Sequence, residues 1–431
     1  MNFDPDLLRR LRATPEIFAQ IAASRGPELA LQERLRARFP ADLVRAALTL
    51  VELRRRAASK FSRAAEMWFD RVGLEQSTAE AVARHKARRF AGRGPVWDLC
   101  CGMGGDAIQL AADGQVRAVD RDPGACLCTQ WNGEVYGVSE RLTVACGDVA
   151  TVSDRDGFLH IDPDRRPART SSSGASAGGR RSLKLEEGTP DLEFLTRLAA
   201  EFRGGAIKCS PASNFGGKFV DVEIELVSLD GECKEATIWF GELAEAGLWR
   251  ATALPSGETL AGDPLSAAAP VAGLGRYLIN PDPALVRSGL IDLYAVRHGI
   301  SRLDDAEEYL TGDAIPASHQ LCPKTGTDPL PEGQTSAPAA TGQGSVPVFG
   351  QSPSHLAHAF EVVAQFPNNE REIRDYFRSA NVGSLEIMCR RIPIDIEGLR
   401  RRLTLSGHEP AVLIFARIEG RARAVVCRRT R

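Results

Sequence analysis

The chain has 431 residues, of which 43% are hydrophobic and 26% charged, with 10 cysteines and a formal net charge of -2. At roughly 100–200 residues per domain this predicts two to four domains, and the composition excludes collagen-like, disordered and disulfide-stapled chains. No stretch approaches the roughly 20 apolar residues of a membrane span. The start MNFDPDLLRR lacks a signal-peptide core, and no C-x2-C pair is present, so the expectation is a cytoplasmic protein with reduced thiols, no membrane and no metal.

The charge is uneven along the chain. Residues 1–95 hold 19 Lys+Arg against 11 Asp+Glu, or +8, and residues 371–431 hold 14 Arg against 7 Asp+Glu, or +7. The middle is left with -17. Basic flanks around an acidic centre suit a polyanion held from the ends. Solvated helix faces in an Arg-rich composition, 47 Arg to 7 Lys, explain the same charges without a partner.

In chain order, residues 5–58 read as helices. Apolar positions recur at three and four in Pro27–Phe39 and Ala41–Arg56, and Pro15, Pro27 and Pro40 mark starts or breaks. A further helix is expected over Ser77–Phe90, with Ser77 and Thr78 as N-cap candidates and Glu80 in the first turn. After Pro95 short apolar runs alternate with amphipathic stretches: VWDLC, DAIQLAAD, VRAVD, Pro123–Tyr136, RLTVAC and FLHID. Such alternation predicts βαβ units and a parallel, doubly wound sheet. A Ser/Gly/Arg-rich loop follows, then a helix over Asp191–Glu201 and a strand over Gly205–Cys209. Val220–Ser228 and Glu235–Phe240 read as a terminal hairpin turning at Asp230–Gly231. Residues 316–353, rich in Pro, Gly, Ser, Thr and Gln, read as a flexible linker or insertion. The remainder, from HAFEVVAQF to RAVVCRR, reads as a compact α+β module.

The sharpest motif is Asp98-Leu99-Cys100-Cys101-Gly102-Met103-Gly104-Gly105-Asp106, in which a strand enters a helix through three glycines. Glycines let backbone approach a ligand, and the helix start presents unpaired N–H groups. Alone, the motif describes any tight strand-to-helix turn. The next strand ends in Asp120, 22 residues after Asp98, where Rossmann units place a ribose-binding carboxylate, and the third ends before Asp148. The loop lacks G-x-G-x-x-G, so pyrophosphate fits poorly. Asp98 would repel phosphate but suit an amino group, which points to S-adenosylmethionine. A Rossmann-like fold with another nucleotide, or none, is the alternative.

The stretch DLCCGMGGDAIQLA, VRAVDRDP, WNGEVYGV and VACGDV resembles class I S-adenosylmethionine-dependent methyltransferases, particularly the trimethylguanosine synthase (RNA cap guanine-N2 methyltransferase) group. The resemblance covers about residues 95–245. It implies an α/β, Rossmann-like seven-stranded sheet with a terminal antiparallel hairpin. It also implies that Asp98, Gly102, Gly104 and Gly105 hold the methionine part, that Asp120 takes the ribose and Asp148 the adenine amino group, with Cys100, Arg121 and Val149 as further cofactor-binding candidates. In the fourth motif the family carries Asn, Ser or Asp, then Pro-Pro and an aromatic residue. Here Asp162-Pro163-Asp164-Arg165 keeps the first half only; Asp164 replaces the second proline and Arg165 the aromatic. These four are the candidate catalytic residues, and Lys208 of IKCSP can balance Asp162.

The whole layout also resembles bacterial class I methyltransferases with a C-terminal THUMP-like domain. Shared-looking stretches are KFSRAAEMWFDRVGLEQSTAEAVARHKARRF, HIDPDRRP, DGECKEATIWFGE, RYLINPDPALVRSGL and FPNNEREIRDYFRSANVGSLEIMCRR. The expected layout is a helical domain 1–90, a methyltransferase domain 91–245, a connecting α/β region 246–315, the linker 316–353 and a THUMP-like module 354–431. The resemblance implies an RNA partner, tRNA or rRNA, facing Arg390, Arg391, Arg400, Arg401 and Arg402. The expected function is therefore RNA methylation. A small-molecule methyltransferase and a non-catalytic RNA-binding protein are the alternatives. Oligomeric state is not legible.

Overall fold

The computed structural model describes residues 4–163, 184–187, 190–318 and 353–430. The chain divides into two units, Met1–Ile224 with Glu235–Gly247, and Glu225–Lys234 with Leu248–Arg431.

The first unit begins with six helices: α1 (Pro5–Arg12), α2 (Pro15–Ala23), α3 (Glu28–Arg36), α4 (Ala41–Ala57), α5 (Arg71–Gln76) and α6 (Glu80–Ala87). Pro5 and Pro15 occupy first-turn positions, where a missing N–H costs nothing. α4 buries Leu43, Val44, Ala46, Ala47, Leu50 and Leu53, the three-and-four periodicity read from the sequence. Ser77 and Thr78 do not cap α6, whose N-cap is Ala79 with no side-chain hydrogen bond. The Ser77 hydroxyl donates to the Leu74 carbonyl and that of Thr78 to Asp106. A tertiary carboxylate has taken the hydroxyl that local capping would have used.

Strands and helices then alternate: β1 (Val96–Leu99), α7 (Gly105–Leu110), β2 (Val116–Asp120), α8 (Pro123–Tyr136), β3 (Leu142–Cys146), β4 (Phe158–Ile161), α9 (Leu192–Glu201) and β5 (Gly204–Cys209). The hairpin β6 (Glu223–Leu229) and β7 (Glu232–Gly241) turns at Asp230 and Gly231, both at positive φ. These seven strands follow the order β3-β2-β1-β4-β5-β7-β6 in a nine-stranded sheet, which continues beyond β6 through the next two strands of the chain, Trp249–Leu254 and Glu258–Gly262, in place of ending at the expected terminal hairpin. β1 to β5 run parallel and β7 antiparallel to β5, the Rossmann-like sheet with its hairpin. The N-terminal helices share one apolar core with this sheet: Leu11, Leu50, Met67 and Phe69 belong to the same cluster as Val96, Ile108, Val116 and Trp131. Asn132, fully buried, joins the two parts. It accepts from the Trp68 N–H at 2.7 Å and donates to the carbonyls of Trp68 and Met103 at 2.8 and 3.0 Å.

The second unit contains β8 (Trp249–Leu254), β9 (Glu258–Gly262), β10 (Tyr277–Pro281), α10 (Pro283–Arg287), α11 (Ile291–His298), β11 (Ser301–Arg302), β12 (Leu310–Gly312), β13 (Ala357–Pro367), α12 (Glu370–Ser379), β14 (Val382–Cys389), α13 (Ile396–Arg402), β15 (Glu409–Ile418) and β16 (Arg421–Arg429). Seven of these strands form one sheet, ordered β11-β12-β10-β13-β16-β15-β14. Residues 246–315 therefore do more than connect, because β10 pairs with β13 from Tyr277–Glu361 to Pro281–Ala357. One face of the sheet is covered by Ile373, Phe377 and Leu399 of the helices, the other by Leu278, Leu303 and Tyr309. The stretch read as a linker falls largely outside the described residues. Its flanks meet, since the Ser354 N–H donates to the Pro316 carbonyl at 3.0 Å.

Candidate functional site

The glycine turn sits where β1 ends. Cys100 takes φ 61° and Gly102 φ 55°, so the chain reverses within three residues. Gly104, at φ 86°, caps α7, and a Cβ there would lie 2.9 Å from the Thr129 methyl. Only glycine fits both demands. The turn is pinned from β2 and α8: the Gly102 N–H donates to Asp120 Oδ2 at 2.9 Å, and Thr129 Oγ1 donates to the Gly102 carbonyl at 2.7 Å. A Cβ on Gly102 would meet nothing within 4 Å, so this turn has open space above it.

Asp120 ends β2 and also accepts the Asp122 N–H at 2.9 Å on Oδ1. Burial holds its carboxyl above the ordinary range, against those two N–H bonds. Arg121 beside it is exposed. Asp148 follows β3, is exposed, and uses Oδ1 to accept the Ala150 N–H; Val149 begins the next turn and is half-buried. Asp98, Asp120 and Asp148 thus follow or end the three successive parallel strands at their carboxyl edge, where open α/β sheets bind ligands.

Asp98 is almost wholly buried. Its Oδ1 lies 2.6 Å from His160 Nδ1, directly opposite it on β4, while Oδ2 has no hydrogen-bond partner among the described residues. Burial pushes this carboxyl up, opposed by His160. A buried carboxylate oxygen without a donor is costly unless a ligand supplies one. With the open turn at Gly102 and an acceptor at Asp120, the residues present fit an adenosine bearing an amino-acid tail.

One step beyond β4, Asp162 Oδ2 takes an ion pair from Lys208 Nζ at 2.5 Å, and Lys208 lies nine-tenths buried on β5. Pro163 is the last described residue of this motif. Asp164 and Arg165 lie outside the described residues.

Beneath these groups lies a charge cluster that the sequence reading missed. Asp106 Oδ2 accepts from Thr78 Oγ1 at 2.6 Å, and its Oδ1 lies 3.0 Å from Lys86 Nζ. Lys86 Nζ reaches Glu235 Oε1 at 2.6 Å, which also accepts from Thr237 at 2.9 Å. His160 Nε2 and Lys208 Nζ each stand 4.0 Å from Asp106. Burial alone would raise Asp106, but Lys86, His160 and Lys208 outweigh it and hold the carboxyl well below the usual range. Lys86 is pushed up by Asp106 and Glu235 in spite of its burial. The available signal was a histidine inside the otherwise apolar run FLHID, in a strand buried on both faces.

The arginines of the second unit part company. Arg390 donates to Asn280 Oδ1 at 2.9 and 3.0 Å and to the Pro281 carbonyl at 2.6 Å, and it pairs with Glu308 at 2.9 Å. It therefore braces the end of β14 against β10. Arg391 pairs with Glu308 and Arg402 with Glu370, both remaining exposed. Among the described residues, Arg400 and Arg401 are exposed and make no ion pair.

Residues 93–195 match the family described as RNA cap guanine-N2 methyltransferase, residues 357–429 a THUMP domain-like family, and residues 6–57 a domain of unknown function. An uncharacterized S-adenosylmethionine-dependent methyltransferase of Mycobacterium tuberculosis (strain H37Rv) is 33% identical over 397 residues, covering 88% of this chain and 95% of the relative. A crystal structure from Porphyromonas gingivalis W83, described as of methyltransferase type, superposes over 100% of both chains with a TM-score of 0.72 at 18% identity, a likeness of fold. No helix among the described residues is long and apolar enough to cross a membrane. With the carboxylate-lined edge of β1 to β3 and a relative alike over nearly its whole length, the chain belongs to the S-adenosylmethionine-dependent methyltransferases and uses S-adenosylmethionine as its cofactor.

Proposed function

We propose that this enzyme methylates a base of RNA, in tRNA or rRNA. The observation that carries the reading is the presence in one chain of an RNA cap methyltransferase-type stretch and a THUMP-like module. S-adenosylmethionine, when bound, supplies a methyl group on a positively charged sulfur, already a strong electrophile. The chain's part is to seat, orient and exclude water. Asp120 would accept the ribose hydroxyls, Asp148 the adenine amino group, and the free oxygen of Asp98 the ammonium group. Asp162, steadied by Lys208, would accept a hydrogen bond from the nucleophile of the base and take its proton as the methyl arrives. Arg400 and Arg401 would contact phosphate.

A second reading, a small-molecule acceptor, is favoured by the internal pairing of Arg390, Arg391 and Arg402. Mass spectrometry of nucleosides from tRNA and rRNA of a deletion strain separates the two. The RNA reading expects one methylated nucleoside to disappear and to return when purified enzyme and cofactor are added. An unchanged nucleoside profile in both RNAs would contradict it.

A further inference from the structure

The cluster around Asp106 has a form that stability does not account for. It places Asp98, Asp106, Glu235, Lys86, Lys208 and His160 within the first unit, all of them less than 10% exposed. Taking so many charges out of water offsets most of what their pairing returns, and apolar residues of similar volume commonly match or exceed such networks in stability. What a network supplies in addition is fixed orientation.

Asp106 stands at its branch point. Four groups from three separate parts of the chain, the α6 segment, β4 and β5, approach one carboxylate: Thr78 at 2.6 Å, Lys86 at 3.0 Å, and His160 and Lys208 at 4.0 Å. One branch passes to His160, whose Nε2 stands 4.0 Å from Asp106 Oδ1 with neither atom hydrogen-bonded among the described residues, and from its Nδ1 to Asp98, whose second oxygen is buried and also lacks a donor there. The other runs through Lys208 to Asp162, which is part-exposed at the end of β4. Lys86 ties the branch point to Glu235 on β7, so the carboxylate cannot swing away without taking from this buried ammonium one of its two anionic partners. His160 lies on β4, and Asp162 follows one residue after the strand ends. Asp98 and Lys208 flank them on β1 and β5.

We propose that Asp106 is a positioning residue that locks the donor-side carboxylate, through His160, and the acceptor-side carboxylate, through Lys208, into one fixed relation. Asp106 touches neither donor nor acceptor. It acts on the imidazole and the ammonium electrostatically, across 4.0 Å, rather than by a direct hydrogen bond to either. A misplacement of about 1 Å at either carboxylate is enough to lower a transfer rate roughly 10²-fold. The acceptor branch rests on the role proposed above for Asp162, and the donor branch on that proposed for Asp98.

The test uses the full chain and three substitutions, each read by the dissociation constant for S-adenosylmethionine and by the single-turnover rate on RNA from the deletion strain, below the melting temperature of each variant. Asp106→Asn keeps the size of the side chain and its bond to Thr78 but removes the charge. It is expected to weaken donor binding roughly tenfold and to slow transfer at saturating donor roughly 10–100-fold. His160→Asn is expected to weaken donor binding to a similar degree. Lys208→Met is expected to slow transfer while donor affinity stays within about twofold. A purely structural role would lower the melting temperature of Asp106→Asn and leave both constants of the folded protein unchanged, and that result overturns the proposal. So does a Lys208→Met variant that weakens donor binding as much as His160→Asn. Should Asp106→Asn not fold, this contrast between the two branch variants decides. Should wild-type enzyme bind donor but leave the RNA unmethylated, the RNA reading falls, and the donor constants of the three variants still decide the inference.

Discussion

The donor edge of the first unit and the arginine-rich surface of the second use charge in opposite ways. Asp98 and His160 face each other at 1% side-chain exposure, and the ions beneath them are sealed from water. Arg391, by contrast, is 60% exposed, and Arg400 and Arg401 face solvent. Burial magnifies each interaction and makes each loss expensive, whereas exposed ions are screened by salt and solvent. Mutations in the first region should therefore produce large, specific defects, and those in the second should produce graded, salt-dependent ones.

The sharpest way to break this contrast is Lys86→Met, which strips Asp106 and Glu235 of their shared cation. Leaving buried charge unpaired should cost about 3–5 kcal/mol at pH 7, read by chemical denaturation. The sign with pH follows from Asp106, whose carboxyl is held low. Its stabilisation is present above the ordinary carboxylate range and is lost as pH falls through the folded value, beginning below about pH 4. The variant should show a shallower acid loss, because its Asp106 no longer has Lys86 to hold it down. Next in size, Asp162→Ala should slow transfer about 10²-fold at saturating donor with donor affinity little changed, measured by single-turnover kinetics.

Within the second unit the contrast can be sharpened. Arg390→Ala should destabilise by about 1–3 kcal/mol, because Asn280, the Pro281 carbonyl and Glu308 all lose a donor, and it should leave the salt dependence of RNA binding unchanged. Arg400→Ala and Arg401→Ala should do the reverse, each flattening the slope of log K against log salt by roughly 1 with stability little altered. Filter binding with bulk tRNA over a salt series reads both effects. An Arg390 variant that weakened binding in proportion to a shallower slope would restore that residue to the RNA surface.

The strand-turn-helix at Asp98–Asp106, the helix Pro123–Tyr136 and the hairpin turn at Asp230–Gly231 were legible because local chemistry decides them: glycines at positive φ, a proline at a helix start, apolar runs of strand length. The placing of Asp98 and Asp120 on neighbouring strands was legible for a related reason, since their spacing follows from one βαβ unit. The ion cluster was not. Lys86, Asp106, His160 and Glu235 are spread over 150 residues, and nothing local distinguishes a buried lysine in HKARRF from a solvated one. Thr78 was assigned to a cap because capping is a local signal, and a carboxylate 28 residues away took it instead. Arg390 was placed with its charged neighbours for the same reason, although its partners at Asn280 and Glu308 lie 110 and 82 residues back in the chain. One apolar cluster of the first unit draws residues from Leu8 to Leu243, contacts too far apart in the chain for composition to show.

Calorimetry of S-adenosylmethionine with the full chain, wild type beside Asp98→Ala and Asp120→Ala, tests the seat at the carboxyl edge of β1 to β3 most directly. The structure predicts one donor per chain, bound by wild type and weakened at least about 100-fold in either variant. Donor affinity that survived both substitutions intact would place the cofactor elsewhere.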